Sequence, residues 1–242
     1  MIVQTVFVPS RQYRQIWRMP TLTLMTMVGL GLALLGPGVI ALLWTRSTRD
    51  GVSLRTSVPW LGAFVLLLAA VGLIAAYGEQ LTASDVGFGA VSRWTVPFGL
   101  ALAGFFIFIF GPAAVRCLAR TGLGSFETGA NALSRLPRWY LALVIVIVAA
   151  GEEWLYRGYA IERLGALTGH VWLAGALSLL AFGIVHLPLW GVGVALTTIV
   201  SGGIFTGLYI LTKDIVFLML AHVLTDLYGL VMAPRPLEKS SD

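Results

Sequence analysis

Two adjacent carboxylates, Glu152 and Glu153, follow one of the most apolar runs of the chain, YLALVIVIVAA at 140–150. Arg157 comes four residues after Glu153, so these two side chains share a helix face and can neutralise each other. Glu152 points about 100° away from that face and is free to face another helix. A charged side chain at the centre of a membrane helix costs about 2.5–3.5 kcal/mol on insertion scales, so this cluster indicates a functional site.

Three further ionisable residues interrupt apolar runs nearer the C-terminus: His186, His222 and Asp226. His222 and Asp226 are also spaced i,i+4, which lets the carboxylate orient the imidazole. His186, like Glu152, has no charged partner one turn away on its own helix. Paired polar residues also join membrane helices to one another, so the two i,i+4 pairs are consistent with a packing role as well.

One glutamate and two histidines that converge in a low-dielectric cavity favour the activation of a water molecule. The glutamate can act as a general base. Histidines can hold the water, bind a metal ion or donate to a developing oxyanion. The HExxH motif is absent and no two histidines are spaced i,i+4, so the common helical zinc signature is missing.

The composition places these residues in a membrane. The chain has 242 residues, of which 58% are hydrophobic and 11% charged, and its mean hydropathy is +0.89. A soluble domain carries about 25% charged residues. The net charge of +5 comes mostly from arginines beside apolar runs, which indicates contact with lipid headgroups rather than with nucleic acid.

We predict an all-α, polytopic integral membrane bundle of about seven transmembrane helices, or eight, since each span needs about 20 apolar residues. The predicted spans are 21–44, 58–78, 95–119, 140–163, 171–190, 192–212 and 215–233. With a rise of about 1.5 Å per residue, the polar groups of the fourth, fifth and seventh spans fall in one layer of the bilayer. The sixth span carries Gly203 and Gly207 at GxxxG spacing, which predicts close helix packing there.

The polar residues form three motifs in sequence order. They are EExxxR (Glu152, Glu153, Arg157), FxxxH (Phe182, His186) and HxxxN/D (His222, Asp226). Their order on successive helices resembles the CAAX-protease and bacteriocin-processing (CPBP) family of intramembrane proteases, which includes the type 2 CAAX prenyl endopeptidases and the bacterial Abi proteins. The resemblance covers roughly residues 140–230.

The resemblance implies an endopeptidase that hydrolyses a peptide bond in a membrane-associated peptide or protein. In that reading Glu152 activates the water and His186 helps to hold it, while His222 and residue 226 face the oxyanion. The expected partners are the lipid bilayer and the substrate, and the expected location is the plasma membrane of a bacterium, in several passes.

Glu153 and Arg157 would brace this site. Where the prenyl endopeptidases have asparagine, the chain has Asp226. An ionised aspartate would repel an oxyanion, so Asp226 is either protonated or orients His222 as an acceptor. The cofactor stays open, because both a divalent metal such as zinc and a metal-free glutamate mechanism are compatible with these residues.

We accordingly divide the chain into four segments. These are a basic N-terminal segment (1–20), N-terminal transmembrane helices and loops (21–139), a catalytic transmembrane domain (140–233) and a polar C-terminal tail (234–242).

Two other classes of function compete with the protease. In a proton-coupled transporter, the ionisable residues would form a relay across the membrane. No inverted repeat and no pair of broken helices in the sequence indicates a transporter. A non-catalytic scaffold or immunity protein of the same fold would sequester a peptide without cleaving it, although the motif set is complete.

Overall fold

The computed structural model describes residues 23–49 and 51–232, and within these ranges the fold is all-α. Its helices are α1 (Leu24–Ser47), α2 (Leu54–Gly78), α3 (Thr95–Thr121), α4 (Glu127–Leu133), α5 (Arg138–Thr168), α6 (Val171–Val185), α7 (Leu187–Thr212) and α8 (Ile215–Met232). All of these except α4 and α6 are long and apolar enough to cross a membrane. The predicted polytopic helical membrane bundle is therefore confirmed, while the segments 1–20 and 234–242 lie outside the described residues.

The predicted fifth span, 171–190, differs from the structure. α6 ends at Val185 after 15 residues, because Pro188 lacks the N–H that would continue the helical ladder and its ring clashes with the preceding turn. The chain bends again at Gly191, whose φ of 78° and ψ of 178° are not helical. His186 therefore lies at a junction between two helices rather than inside a span.

α5 runs through the centre of the bundle. Its segment 155–161 is buried, and it packs into one apolar core with α1, α2 and α6 and into another with α3, α7 and α8. Directly after the two glutamates, Trp154–Ile161 forms wide π-type turns. Such turns are frequent at functional sites.

Except for Arg93, the arginines of the loops between the described helices lie on one side of the bundle, because consecutive spanning helices alternate in direction. We call this the arginine side; it carries Arg46, Arg49, Arg55, Arg116, Arg120, Arg135 and Arg138.

On the opposite side, Glu79 joins three helices through its buried carboxylate. Thr26 of α1 and Tyr159 of α5 donate hydrogen bonds to it, with O···O distances of 2.7 and 2.6 Å. Arg163 of α5 forms an ion pair with it at 3.3 Å. Since a buried charge is tolerated only with such partners, Glu79 fixes the end of α2 against α1 and α5.

The loop 79–94 closes this side of the bundle by packing on α5 and α8. A Cβ atom on Gly158 would lie 2.4 Å from the carbonyl oxygen of Val86, so only glycine allows this approach. The amide of Ile215, at the start of α8, donates to the carbonyl of Gly87 at 3.3 Å. The loop therefore covers the polar end of α5.

We expect Glu79→Gln to lower the free energy of unfolding by about 3 kcal/mol, because Arg163 would remain buried without its counter-charge. The measurement is thermal unfolding of the purified protein in detergent. Glu127→Gln is the matched control, since Glu127 is exposed on α4. Equal melting temperatures for the two variants would contradict the structural role of Glu79.

Candidate active site

The buried ion pair of Glu153 and Arg157 on α5 lies at the bottom of the site. Glu153 and Arg157 are each 1% exposed, and Nη1 of Arg157 donates to Oε1 of Glu153 at 3.0 Å. The other guanidinium nitrogen, Nη2, donates to the carbonyl of Gly202 on α7 at 3.3 Å. The ring of Phe182 covers the guanidinium, whose carbon lies 4.1 Å from the ring centroid. The sequence predicted the pair but not these two neighbours.

His222 of α8 meets the same carboxylate. Its Nδ1 lies 2.9 Å from Oε1 of Glu153, whereas its Nε2 lies 3.6 Å from Oδ2 of Asp226. A separation of 3.6 Å is too long for a hydrogen bond. Glu153 therefore forms the hydrogen bond that orients His222, while Asp226, the partner that the i,i+4 spacing predicted, lies at ion-pair distance from it.

His186 is oriented by the end of α6. Its Nδ1 lies 2.7 Å from the carbonyl oxygen of Phe182, and its ring packs edge-on against the ring of Phe182 at 4.8 Å between centroids. Because a carbonyl oxygen only accepts, Nδ1 carries the proton. In the neutral imidazole, Nε2 is then an acceptor for another group.

All seven residues of the three motifs line one cavity of about 830 Å³. It reaches toward the arginine side, where Trp44 of α1 and Arg116 of α3 contribute to its wall. Most of the remaining lining is apolar. Glu152 is partly exposed on this wall, and none of the hydrogen bonds or ion pairs found within the described residues involves its carboxylate.

Two aromatic rings confine the charged groups. Phe182 lies beside Arg157 and His186, and Phe205 of α7 lies 5.8 Å from the ring of His222 between centroids. Phe182 was part of a recognised motif. Phe205 and Gly202 were not identified from the sequence, since nothing local in the small-residue stretch of α7 shows which of its residues face Arg157.

The donor arrangement does not fit a metal ion. Within residues 23–49 and 51–232, no group of three or more His, Cys, Asp or Glu side chains has the geometry of a metal site. We therefore assign no step of the reaction to a metal.

The fold and the site together define a membrane-embedded helical protein with a glutamate–histidine centre inside its bundle. Residues 134–228 match the family model described as Type II CAAX prenyl endopeptidase Rce1-like. The matched region holds all three motifs, so the resemblance to the CAAX-type intramembrane proteases that the sequence predicted is confirmed over these residues. Neither a comparison with curated proteins nor one with solved structures found a significant match.

We expect Gly202→Ala to destabilise the protein by about 1–3 kcal/mol, the range for overpacking a core. A Cβ atom there would lie 3.0 Å from Nη2 of Arg157 and equally close to the side chains of Leu179 and Phe182. The displaced guanidinium would also shift Glu153, so activity should fall. Thermal unfolding in detergent and cleavage rate are the two measurements.

Gly203→Ala is the matched control for this substitution. A Cβ atom on Gly203 would meet only Leu179, at an ordinary contact distance of 3.6 Å. The control should therefore unfold like the wild type or at a slightly higher temperature, since alanine is the better helix former. Equal effects of the two substitutions would reject the specific role of Gly202.

Proposed function

We propose that the protein is an intramembrane endopeptidase that hydrolyses a peptide bond in a membrane-associated peptide or protein by means of a glutamate-activated water. The observation that carries this proposal is the position of Glu152. Its carboxylate lines an otherwise largely apolar cavity beside His186 and His222, whereas the adjacent Glu153 is already engaged by Arg157 and His222.

The nucleophile in this proposal is a water molecule held between two acceptors. The carboxylate of Glu152 can accept one of its hydrogens, and Nε2 of His186 can accept the other. Glu152 removes a proton as the water oxygen attacks the carbonyl carbon of the substrate. The same carboxyl group then returns the proton to the amide nitrogen as the C–N bond breaks, so that a carboxylic acid and an amine leave.

The tetrahedral intermediate carries a negative oxygen that needs donors. His222 can supply one from Nε2 when it is an imidazolium, in which Nδ1 donates to Glu153 and Nε2 keeps a hydrogen of its own. Asp226 lies at the same end of the imidazole and can supply a second donor in its protonated form. Glu153 and Arg157 keep this arrangement in place without contacting the substrate.

The position of the cavity favours a protease over a proton-coupled transporter. The cavity that holds the polar cluster extends toward the arginine side. The loop 79–94 and the Glu79 network pack on α5 toward the opposite side. A transporter would need access from both sides in turn. The likeness to a family that includes the bacterial Abi proteins supports the plasma membrane of a bacterium as the location.

The direct test is cleavage of a panel of synthetic transmembrane and prenylated peptides by purified protein, read by mass spectrometry with and without a chelator. We expect cleavage that persists in the chelator, because the donor arrangement does not fit a metal. Loss of activity on chelation would implicate a metal in catalysis. No cleavage of any peptide would favour the scaffold function.

Glu152→Gln should abolish cleavage and leave insertion and folding intact, since it is nearly isosteric and removes only the base. We would measure the cleavage rate together with the melting temperature in detergent. Glu127→Gln, an exposed carboxylate on α4, should retain full activity. Cleavage by the Glu152 variant at the wild-type rate would reject the mechanism.

Asp226→Asn should retain activity near that of the wild type. Asparagine keeps a donor at this position, and His222 is already oriented by Glu153 rather than by Asp226. The measurement is the cleavage rate of both forms across the range from about pH 5 to 9, which brackets the ordinary titration of histidine. A loss of about 10–100-fold at every pH, typical of removing an orienting partner, would assign Asp226 an acceptor role instead.

A further inference from the structure

Hydroxyl groups are concentrated on one wall of the cavity, although Ser57, Tyr140 and Tyr228 also line it elsewhere. Thr197, Thr198 and Ser201 of α7 line this wall, and Thr225 of α8 faces the same space. Outside these residues and the charged cluster, most of the lining is aliphatic or aromatic. The hydroxyls therefore form a polar strip in an apolar chamber.

The hydroxyl oxygens of Thr197 and Ser201 can accept hydrogen bonds from a group in the cavity. The Thr197 hydroxyl donates to the carbonyl of Gly193 at 2.7 Å, and the Ser201 hydroxyl donates to the carbonyl of Thr198 at 3.2 Å. Each oxygen keeps lone pairs that can accept from a group in the cavity. The strip can therefore receive N–H donors without breaking the helix.

The spacing of the strip matches an extended peptide. Thr197 and Ser201 are one helical turn apart, which is about 6 Å along the axis of α7. Alternate N–H groups on one edge of an extended chain are about 6.6–6.8 Å apart. Two successive N–H groups on the same edge can thus meet these two hydroxyls together.

The strip also leads to the reacting groups. Trp190 lines the cavity before it on α7, and Gly202, whose carbonyl holds Arg157, follows directly after Ser201. A segment that lies along Thr197 and Ser201 therefore has its next residues beside the charged cluster.

We propose that Thr197 and Ser201 bind the backbone of an extended, uncharged substrate segment and align it with Glu152. This inference rests on the proposed peptidase function and specifies how that site holds its substrate. Backbone N–H groups that enter an apolar cavity lose their water and need partners. The hydroxyls supply such partners for any side chains, so the strip selects extended backbone rather than a particular sequence.

The test uses the full-length chain carrying Glu152→Gln, with a defined probe. The probe is a dansylated eight-residue peptide of alternating leucine and alanine, whose binding in detergent is followed by fluorescence anisotropy. Adding Thr197→Val or Ser201→Ala should weaken binding about 3–10-fold each, as expected for one uncharged hydrogen bond. Thr197→Ser, which keeps the hydroxyl, should restore it.

Thr206→Val is the matched control. Thr206 lies on the same helix and is buried, but it is not part of the cavity wall. This substitution should leave binding unchanged.

Single N-methylation of the probe at successive positions separates substrate contact from helix stability. At one position of the probe, the N-methyl group should weaken binding to the parent protein, which carries Glu152→Gln alone. At that position it should not weaken binding any further once Thr197→Val is also present. Additive effects at every position, unchanged binding by the hydroxyl variants, or no binding of the probe to the parent protein would overturn the proposal. Binding without cleavage of the probe by the protein with Glu152 intact would count against the peptidase function alone.

Discussion

The guanidinium group of Arg157, which is 1% exposed, constrains the arrangement of the helices around it. A charge taken out of water needs a counter-charge and filled hydrogen bonds, and without them it is strongly destabilising. Arg157 finds the counter-charge one turn away in Glu153, an acceptor in the Gly202 carbonyl of α7, and a covering ring in Phe182 of α6. Because these partners come from three helices, α5, α6 and α7 satisfy Arg157 only when all of them are correctly placed.

The same carboxylate extends this constraint to α8. One oxygen of Glu153 serves both Arg157 and His222, so the imidazole is positioned by the group that neutralises the guanidinium. This explains why two glutamates stand side by side. Oε1 of Glu153 is engaged by Arg157 and His222, whereas its Oε2 is buried and has no hydrogen-bond partner among the described residues. Glu152 points away from this pair and lies on the cavity wall, where the proposed mechanism uses it as the base.

The sequence was sufficient to predict the helical membrane bundle and to select six polar residues that share one cavity. Both follow from the high cost of polar groups in lipid, which makes each one conspicuous. Contacts between helices were not predictable, because they depend on how each helix is rotated. The hydrogen bond of His222 goes to a carboxylate of α5, while Asp226 is only at ion-pair distance. Gly202, rather than the GxxxG pair Gly203 and Gly207, makes the close contacts. Pro188 indicates a helix break in the sequence, but the residues around it are apolar, so the predicted span continued to residue 190 instead of ending at Val185.

The wide turns at Trp154–Ile161 separate two polar layers on a single helix. Before them Glu153 meets His222, and after them Arg163 meets Glu79. A turn closed from i to i+5 contains one more residue than an α-turn, so this segment shifts the angular phase of everything that follows. The number of residues in α5 is thus set by an angle between two sites, and not only by the thickness of the bilayer.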